Sequence, residues 1–150
     1  MNTKERQVIK FYKVKDAYGA FSNFALYPIV HEGIRYSTTE HFFQQAKFKD
    51  LESKKKVIEA STPMEAATLG RTLSMTVTDW SLLRDKVMYL ALLLKFTQHV
   101  ELRELLLSTG DAEIVEETTD DHYWGKGSKG DGKNMLGVLL MKVRAVLSQV

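Results

Sequence analysis

The spacing of apolar residues predicts a chain built mainly from helices. The strongest helical pattern opens at Asp79-Trp80 and continues to about Thr97, which predicts a central core helix with Trp80 as its anchor. Its apolar residues recur at the 3.6-residue period: Leu83, Val87, Leu90, Ala91 and Leu94. Weaker patterns predict further helices over residues 53–60, 62–70, 102–106 and 136–147. The run from Thr62 to Glu65 is a second capping box with Pro63 at the first helical position, and Gly70 is expected to end that helix.

Alternation of apolar and polar residues predicts few strands, all of them short. Residues 7–14 and residues 112–117 have strand patterns, and residues 28–30 and 34–36 form a hairpin in which Gly33 takes a positive φ. The strands do not alternate regularly with the helices, so the pattern favours α+β over α/β. We predict a single helix-rich domain over residues 1–150, with a small, mostly antiparallel sheet.

Composition narrows the class of protein. A chain of 150 residues has enough length for one domain with a core, and no apolar run reaches the about 20 residues that a membrane span needs. The absence of cysteine and of a secretory leader pattern leads us to expect a cytoplasmic protein. The histidines lack zinc-like spacing, so no metal is expected. The net charge of +2 indicates no general affinity for nucleic acid, although a local basic patch could attract phosphate.

Residues 36–49 contain the first candidate for chemistry. The run from Ser37 to Glu40 matches the S-x-x-E capping box, which predicts Ser37 as the cap and a helix from about Thr38. The helical period then aligns Glu40, Gln44 and Lys47 in one row. Taken alone, a solvent-exposed capping glutamate and a solvated lysine are the commoner roles. The functional alternative is a carboxylate held at a helix N-terminus and directed into a cleft.

The glycine-rich segment 123–134 is the second candidate. Its backbone amides and its lysines could bind phosphate, but the composition alone favours a flexible surface loop. The three lysines are Lys126, Lys129 and Lys133. Trp124, close to Asp120 and Asp121, could stack on a base or fix the loop to the core. Asn134 is placed to cap the last helix.

Short motifs follow one another along nearly the whole chain in a specific order. They are Phe21-Ser22-Asn23-Phe24, Thr39-Glu40-His41-Phe42-Phe43-Gln44, Lys47-Phe48, Asp79-Trp80, Lys95-Phe96, residues 106–111, Trp124-Gly125 and residues 132–137. In this order they resemble the NADAR family, also called YbiA-like. The resemblance implies a small, helix-rich, cytoplasmic N-glycosidase acting on nucleotide-like substrates. We expect no cofactor. Two activities are associated with the family: cleavage of phosphoribosylamino-pyrimidine intermediates of riboflavin synthesis, and removal of ADP-ribose from guanine.

The resemblance also implies roles for individual residues. Glu40 would be the catalytic acid group and Lys47 the amine beside the reacting ribose. Further substrate contacts are expected at Asn23, Phe21, Gln44, Asp121, Trp124, Gly125, Lys133 and Asn134.

Three questions about the reaction and the substrate stay open at this point. Water could attack the sugar directly, or Lys47 could form a Schiff base. The leaving base is not fixed, although the basic loop favours an ADP-ribose-bearing nucleotide or DNA. The protein could also bind ADP-ribose or NAD without cleaving it.

Overall fold

The computed structural model describes residues 5–150 and has an α+β fold, as predicted. The helices that it describes are α1 (Thr39–Gln45), α2 (Leu51–Ile58), α3 (Pro63–Thr72), α4 (Trp80–Gln98), α5 (Val100–Ser108) and α6 (Met135–Leu147). The strands are β1 (Val8–Phe11), β2 (Ile29–His31), β3 (Ile34–Tyr36) and β4 (Glu113–Glu116), with a short 3-10 turn at Gly19–Phe21. The core helix predicted over residues 79–97 corresponds to α4.

The chain divides into two compact units. The central unit comprises residues 23–99, and the terminal unit comprises the residues up to 22 together with residues 100–150. Each unit has its own pair of strands and its own helices. The single domain over residues 1–150 stays a prediction.

The central unit begins with the predicted hairpin. Strands β2 and β3 are antiparallel, and Ile29 pairs with Tyr36. The turn uses Glu32 at φ 51° and Gly33 at φ 80°, so the positive φ expected at Gly33 is confirmed. Glycine adopts this conformation without steric cost. The hairpin leads directly into α1.

Helix α1 lies within the core of the central unit, in contact with α2, α3 and α4. All seven of its residues are buried. Two apolar clusters surround it: Ile29, Tyr36, Phe42 and Ala91 form one, and Phe48, Val57, Ala60 and Ala66 form the other. The polar side chains of α1 are therefore enclosed by protein, which makes their hydrogen-bond partners decisive for stability.

The limits of α2 and α3 differ from the prediction by about two residues. Helix α2 begins at Leu51, because the Asp50 carboxylate accepts the N–H of Ser53 at 3.0 Å and caps the helix earlier than expected. Helix α3 begins as predicted, with Thr62 as its cap and Pro63 in its first turn. Gly70 does not end α3, which continues to Thr72.

The terminal unit is built on a parallel pair of strands. Strands β1 and β4 pair in parallel, with Ile9 opposite Ile114, and α6 packs against β4. The antiparallel hairpin was predicted because adjacent strands joined by a short turn must be antiparallel. Strands β1 and β4 are separated by about a hundred residues, so no local rule sets their direction. The sheet predicted as mostly antiparallel is therefore two pairs, one of each kind.

Candidate active site

The start of α1 is fixed by Thr38. This residue has an extended backbone, and its hydroxyl accepts the N–H of His41 at 3.2 Å. The cap predicted at Ser37 was wrong by one residue. With Thr38 as the cap, the third helical position is His41 rather than Glu40, so the reciprocal glutamate of a capping box cannot form. Instead the His41 ring contacts the Thr38 hydroxyl at 2.7 Å and the Ala60 carbonyl at 3.0 Å.

Asn23 holds the same helix start from outside the helix. Its carbonyl accepts the N–H of Glu40 at 3.2 Å, and its side-chain oxygen accepts the Thr39 hydroxyl at 2.7 Å. Its amide nitrogen donates to the Met88 sulfur at 3.3 Å. These bonds supply partners for groups that a helix N-terminus leaves unpaired. Asn23, predicted to bind substrate, thus lies beside Glu40 and also orders the helix that carries it.

Glu40 is buried, with 9% of its surface exposed. This contradicts a solvent-exposed capping glutamate. Its Oε1 atom accepts a hydrogen bond from Gln44 Nε2 at 2.8 Å, one helical turn away. The first turn of a helix favours a negative charge, because the backbone N–H groups there point outward along the axis. The hydrogen bond from Gln44 consequently holds the carboxylate in one direction at the N-terminus of α1.

Lys47 follows the end of α1 and is half-buried. Its N–H donates to the Gln44 carbonyl at 3.2 Å, which continues the last turn. Its Nζ atom lies 5.9 Å from the ring centroids of both Phe43 and Trp80. Ammonium groups at this distance from aromatic faces are attracted by the rings. Trp80, predicted as a core anchor, therefore also contributes to the surroundings of the candidate amine.

The electrostatic surroundings of Lys47 act in both directions. Burial lowers the pKa of its amine below the usual value of 10.5, the charge of Glu40 raises it, and the charge of Arg71 lowers it again. Desolvation is the largest of the three effects. The structure thus brings the carboxylate and the amine of the predicted row close enough to influence each other, and it increases the neutral fraction of the amine.

The remaining predicted substrate contacts belong to the terminal unit. Asp121 accepts the N–H groups of Tyr123 at 2.9 Å and Trp124 at 2.8 Å, which forms a tight turn. The Trp124 ring packs edge-on against Tyr123, and Lys133 Nζ lies 5.7 Å from the Tyr123 ring centroid. Gly125 is buried, and a Cβ atom at this position would overlap the Thr118 methyl group. These residues are joined by hydrogen bonds and close contacts within the loop.

Two predicted contacts have clear structural roles. Phe21 is fully buried and packs edge-on against Phe11, with centroids 5.9 Å apart. Asn134 precedes α6 but makes no side-chain cap, so the predicted capping role was wrong. Its amide instead donates to the Ile114 carbonyl at 2.8 Å and accepts the Glu116 N–H at 2.9 Å. The backbone of β4 competes successfully for this side chain. Substrate binding by Phe21 and Asn134 stays a prediction.

Sequence reasoning missed two residues near the candidate amine and carboxylate. Arg71 influences the pKa of Lys47, and Gly70 lies directly against the side chain of Gln44. A signal for Gly70 was present, because a glycine inside a helical pattern often marks a close approach of another segment. Nothing in the local pattern around Arg71 pointed to Lys47. Within residues 5–150, no group of three or more His, Cys, Asp or Glu residues could hold a metal ion.

This fold and this helix define a small α+β protein with a buried carboxylate and a half-buried amine as its candidate catalytic groups. The NADAR domain model matches residues 10–148, and the chain belongs to the NADAR family. It is 46% identical to the N-glycosidase YbiA of Escherichia coli (strain K12), over 94% of this chain and 89% of that protein. The chain also resembles the NMR structure of E. coli YbiA, with a TM-score of 0.89 and 44% sequence identity. The structural match covers 98% of this chain and 88% of that chain.

Two other relatives extend the comparison. An N-glycosidase of Nostoc punctiforme is 42% identical over 91% of this chain and 90% of its own length. A riboflavin biosynthesis protein of Vibrio vulnificus is 35% identical over 95% of this chain, which spans 39% of that longer protein. None of the helices within residues 5–150 is long and apolar enough to cross a bilayer.

Proposed function

We propose that this protein is an N-glycosidase that hydrolyses a ribosyl C–N bond, and that its substrate is ADP-ribose attached to guanine in DNA or in a nucleotide. The names of the E. coli and Nostoc relatives, which match over nearly their whole length, support the N-glycosidase class. The observation that carries the mechanism is the buried Glu40 carboxylate. Gln44 holds it by a hydrogen bond, and its charge acts on the pKa of Lys47.

Glu40 has the properties that this reaction needs. Breaking the bond between the anomeric carbon and the base nitrogen develops positive charge on the sugar. A carboxylate fixed beside that carbon stabilises the charge, and it can also accept a proton from the attacking water. The proton taken from water passes to the nitrogen of the leaving base, and ADP-ribose is released with the water-derived hydroxyl group on the anomeric carbon.

Lys47 offers a second route. Its neutral amine could attack the anomeric carbon, with expulsion of the base and opening of the ribose as a Schiff base that water then hydrolyses. Burial lowers the pKa of this amine, which favours the neutral form that such an attack requires. Both routes need Glu40 in place, either for the positive charge on the sugar or for proton transfer.

The substrate class rests on the basic loop of the terminal unit. Lys129 and Lys133 are exposed there, and such side chains favour a diphosphate or a DNA strand. Lys126 is half-buried and makes an ion pair of 3.4 Å with Glu117, so it offers less free charge. The alternative substrate is a phosphoribosylamino-pyrimidine, which the name of the Vibrio relative favours. A module that binds ADP-ribose without cleaving it is the remaining alternative.

The experiment is an incubation of the protein with a guanine-ADP-ribosylated oligonucleotide and, in parallel, with a phosphoribosylamino-pyrimidine. Release of ADP-ribose from the first substrate supports the proposal, and release of the base from the second alone supports the alternative. Binding of ADP-ribose without release from either substrate would identify a binding module. We expect Glu40→Gln to lose most of the turnover while it retains binding.

The matched control is Glu65→Gln. Glu65 also lies in the first turn of a helix, but it is exposed and its carboxylate accepts the N–H of Ser61 at 2.8 Å. This variant should keep the turnover of the unmodified protein with a small loss of stability. Full turnover by Glu40→Gln would remove Glu40 from the mechanism.

A further inference from the structure

Gly70 occupies the interior of α3, where glycine is less favourable than alanine. Its φ angle is not among the positive values found at other glycines of the described chain, so its backbone conformation does not require glycine. The reason for a glycine at this position is the neighbouring side chain of Gln44. A Cβ atom at this position would overlap Oε1 of Gln44 and lie 2.7 Å from its Cδ. A side chain at residue 70 would therefore have to displace the amide group of Gln44.

The orientation of the Gln44 amide is set by Glu40 on one side and Gly70 on the other. Gln44 Nε2 donates to Glu40 Oε1 at 2.8 Å, and the opposite orientation would place two oxygen atoms together. Gln44 Oε1 is buried against Gly70 and has no hydrogen-bond partner among the described residues. The backbone of Gly70, with hydrogens in place of a side chain, leaves just enough room for this oxygen. Any displacement of the amide from this space moves the Nε2 donor of Gln44 away from its position against the Glu40 carboxylate.

We propose that Gln44 and Gly70 are positioning residues that fix the direction of the Glu40 carboxylate, Gln44 by its hydrogen bond and Gly70 by admitting the amide. This inference rests on the proposed catalytic role of Glu40. It assigns Gln44 a role distinct from the predicted substrate contact. It also links α3 to the candidate site, since Arg71 follows Gly70 directly and its charge acts on Lys47.

The test is a double-mutant cycle on turnover. Gly70→Ala should lower kcat roughly 10- to 100-fold with little change in KM, because small displacements of a catalytic group have effects of this size. Gln44→Ala should lower kcat by a similar factor. In the Gln44→Ala protein the clashing amide is gone and only the Cβ of residue 44 remains, 3.3 Å from the new methyl group. Gly70→Ala should then cause little further loss.

Two additional variants keep the test decisive. Gly33→Ala is the matched control, because Gly33 belongs to the same unit, has φ 80° and has nothing within 4 Å of an added Cβ. It should lower the melting temperature through backbone strain and leave kcat unchanged. Gln44→Met keeps the length of the side chain and removes the donor, so it should lower kcat even if Gly70→Ala fails to fold.

The outcomes separate this inference from the proposed function. An inactive Glu40→Gln protein together with a Gly70→Ala protein of normal kcat overturns the positioning role alone. The positioning role is also overturned if Gly70→Ala lowers kcat by the same factor in the Gln44→Ala protein as in the protein that retains Gln44. In that case the effect of residue 70 on kcat would not depend on the Gln44 amide. An active Glu40→Gln protein removes both proposals, even if residues 44 and 70 remain coupled in melting temperature.

Discussion

Asn134 offers a direct test of how the terminal unit is held together. In the parallel pair, the N–H groups of Glu113 and Glu117 point toward β1 and donate to Gln7 and Phe11. Ile114 and Glu116, which alternate with them along the strand, present their backbone groups to the opposite edge of β4. The Asn134 amide pairs with two of these groups, the Ile114 carbonyl and the Glu116 N–H. It therefore acts as a short substitute for a neighbouring strand.

The expected cost of Asn134→Ala follows from this geometry. A buried backbone group left without a partner costs about 1–3 kcal/mol, which gives about 2–6 kcal/mol for two. Because both hydrogen bonds are only partly buried, we take about 3 kcal/mol, in the lower half of that range. Asn134 also has φ 51°, a left-handed conformation that costs alanine about 1–2 kcal/mol more. We expect a total loss of about 4–5 kcal/mol for Asn134→Ala. Asn134→Gly removes the amide without the backbone strain, so it should lose only about 3 kcal/mol.

The assay is urea unfolding, with amide hydrogen exchange at Glu116 as a local reading. Both variants should lose protection at the Glu116 N–H. Asn134→Asp keeps an acceptor for that N–H but places an oxygen against the Ile114 carbonyl, so it should be no more stable than Asn134→Gly. A loss below about 1 kcal/mol in Asn134→Ala would refute the pairing role. A raised KM in Asn134→Gly without loss of stability would favour the predicted substrate contact instead.

Two other predictions concern buried amines. Burial lowers the pKa of Lys95 to about 7, so above this pH the unfolded chain holds one more proton than the folded chain until about pH 10.5. Unfolding free energy should therefore rise with pH across this window, by up to about 1.4 kcal/mol per pH unit from this group. Lys95→Met should flatten the rise in urea-unfolding profiles, and an unchanged slope would contradict the assignment. Lys47→Arg keeps the charge but removes the nucleophile; if the Schiff-base route operates, it should abolish both turnover and borohydride trapping of the substrate. Trapping at Lys47 in the unmodified protein would support that route, and turnover by Lys47→Arg would exclude it.

Local rules predicted the elements whose stability is decided locally. The apolar period located α4, and the turn chemistry of Gly33 located the hairpin. Thr62 was recognised as a cap because its partner, the N–H of Glu65, lies only three residues away. In each case the interacting groups lie within a few residues of each other, so their sequence spacing contains the information.

The features that the sequence did not predict depend on distant partners. Asn134 has the chemistry of a helix cap, but the backbone of β4, about twenty residues earlier, takes its amide. Gly70 has the chemistry of a helix stop, but it lies inside α3, directly against the side chain of Gln44. The helical period correctly aligned Glu40 with Gln44, whose side chains are hydrogen-bonded, but Lys47 of the predicted row lies beyond the end of α1. The burial of Glu40 could be learned only from the packing of α1.

Helix α1 connects these observations. With seven residues it is too short to be stable alone, because about twelve or more are needed in water. Its start is held by Thr38 and Asn23, and at its end Lys54 Nζ donates to the Gln45 carbonyl at 3.3 Å. The direction of the Glu40 carboxylate consequently depends on neighbouring segments as well as on Gln44 within the helix. For the same reason, substitutions at these distant supports should change turnover as well as stability.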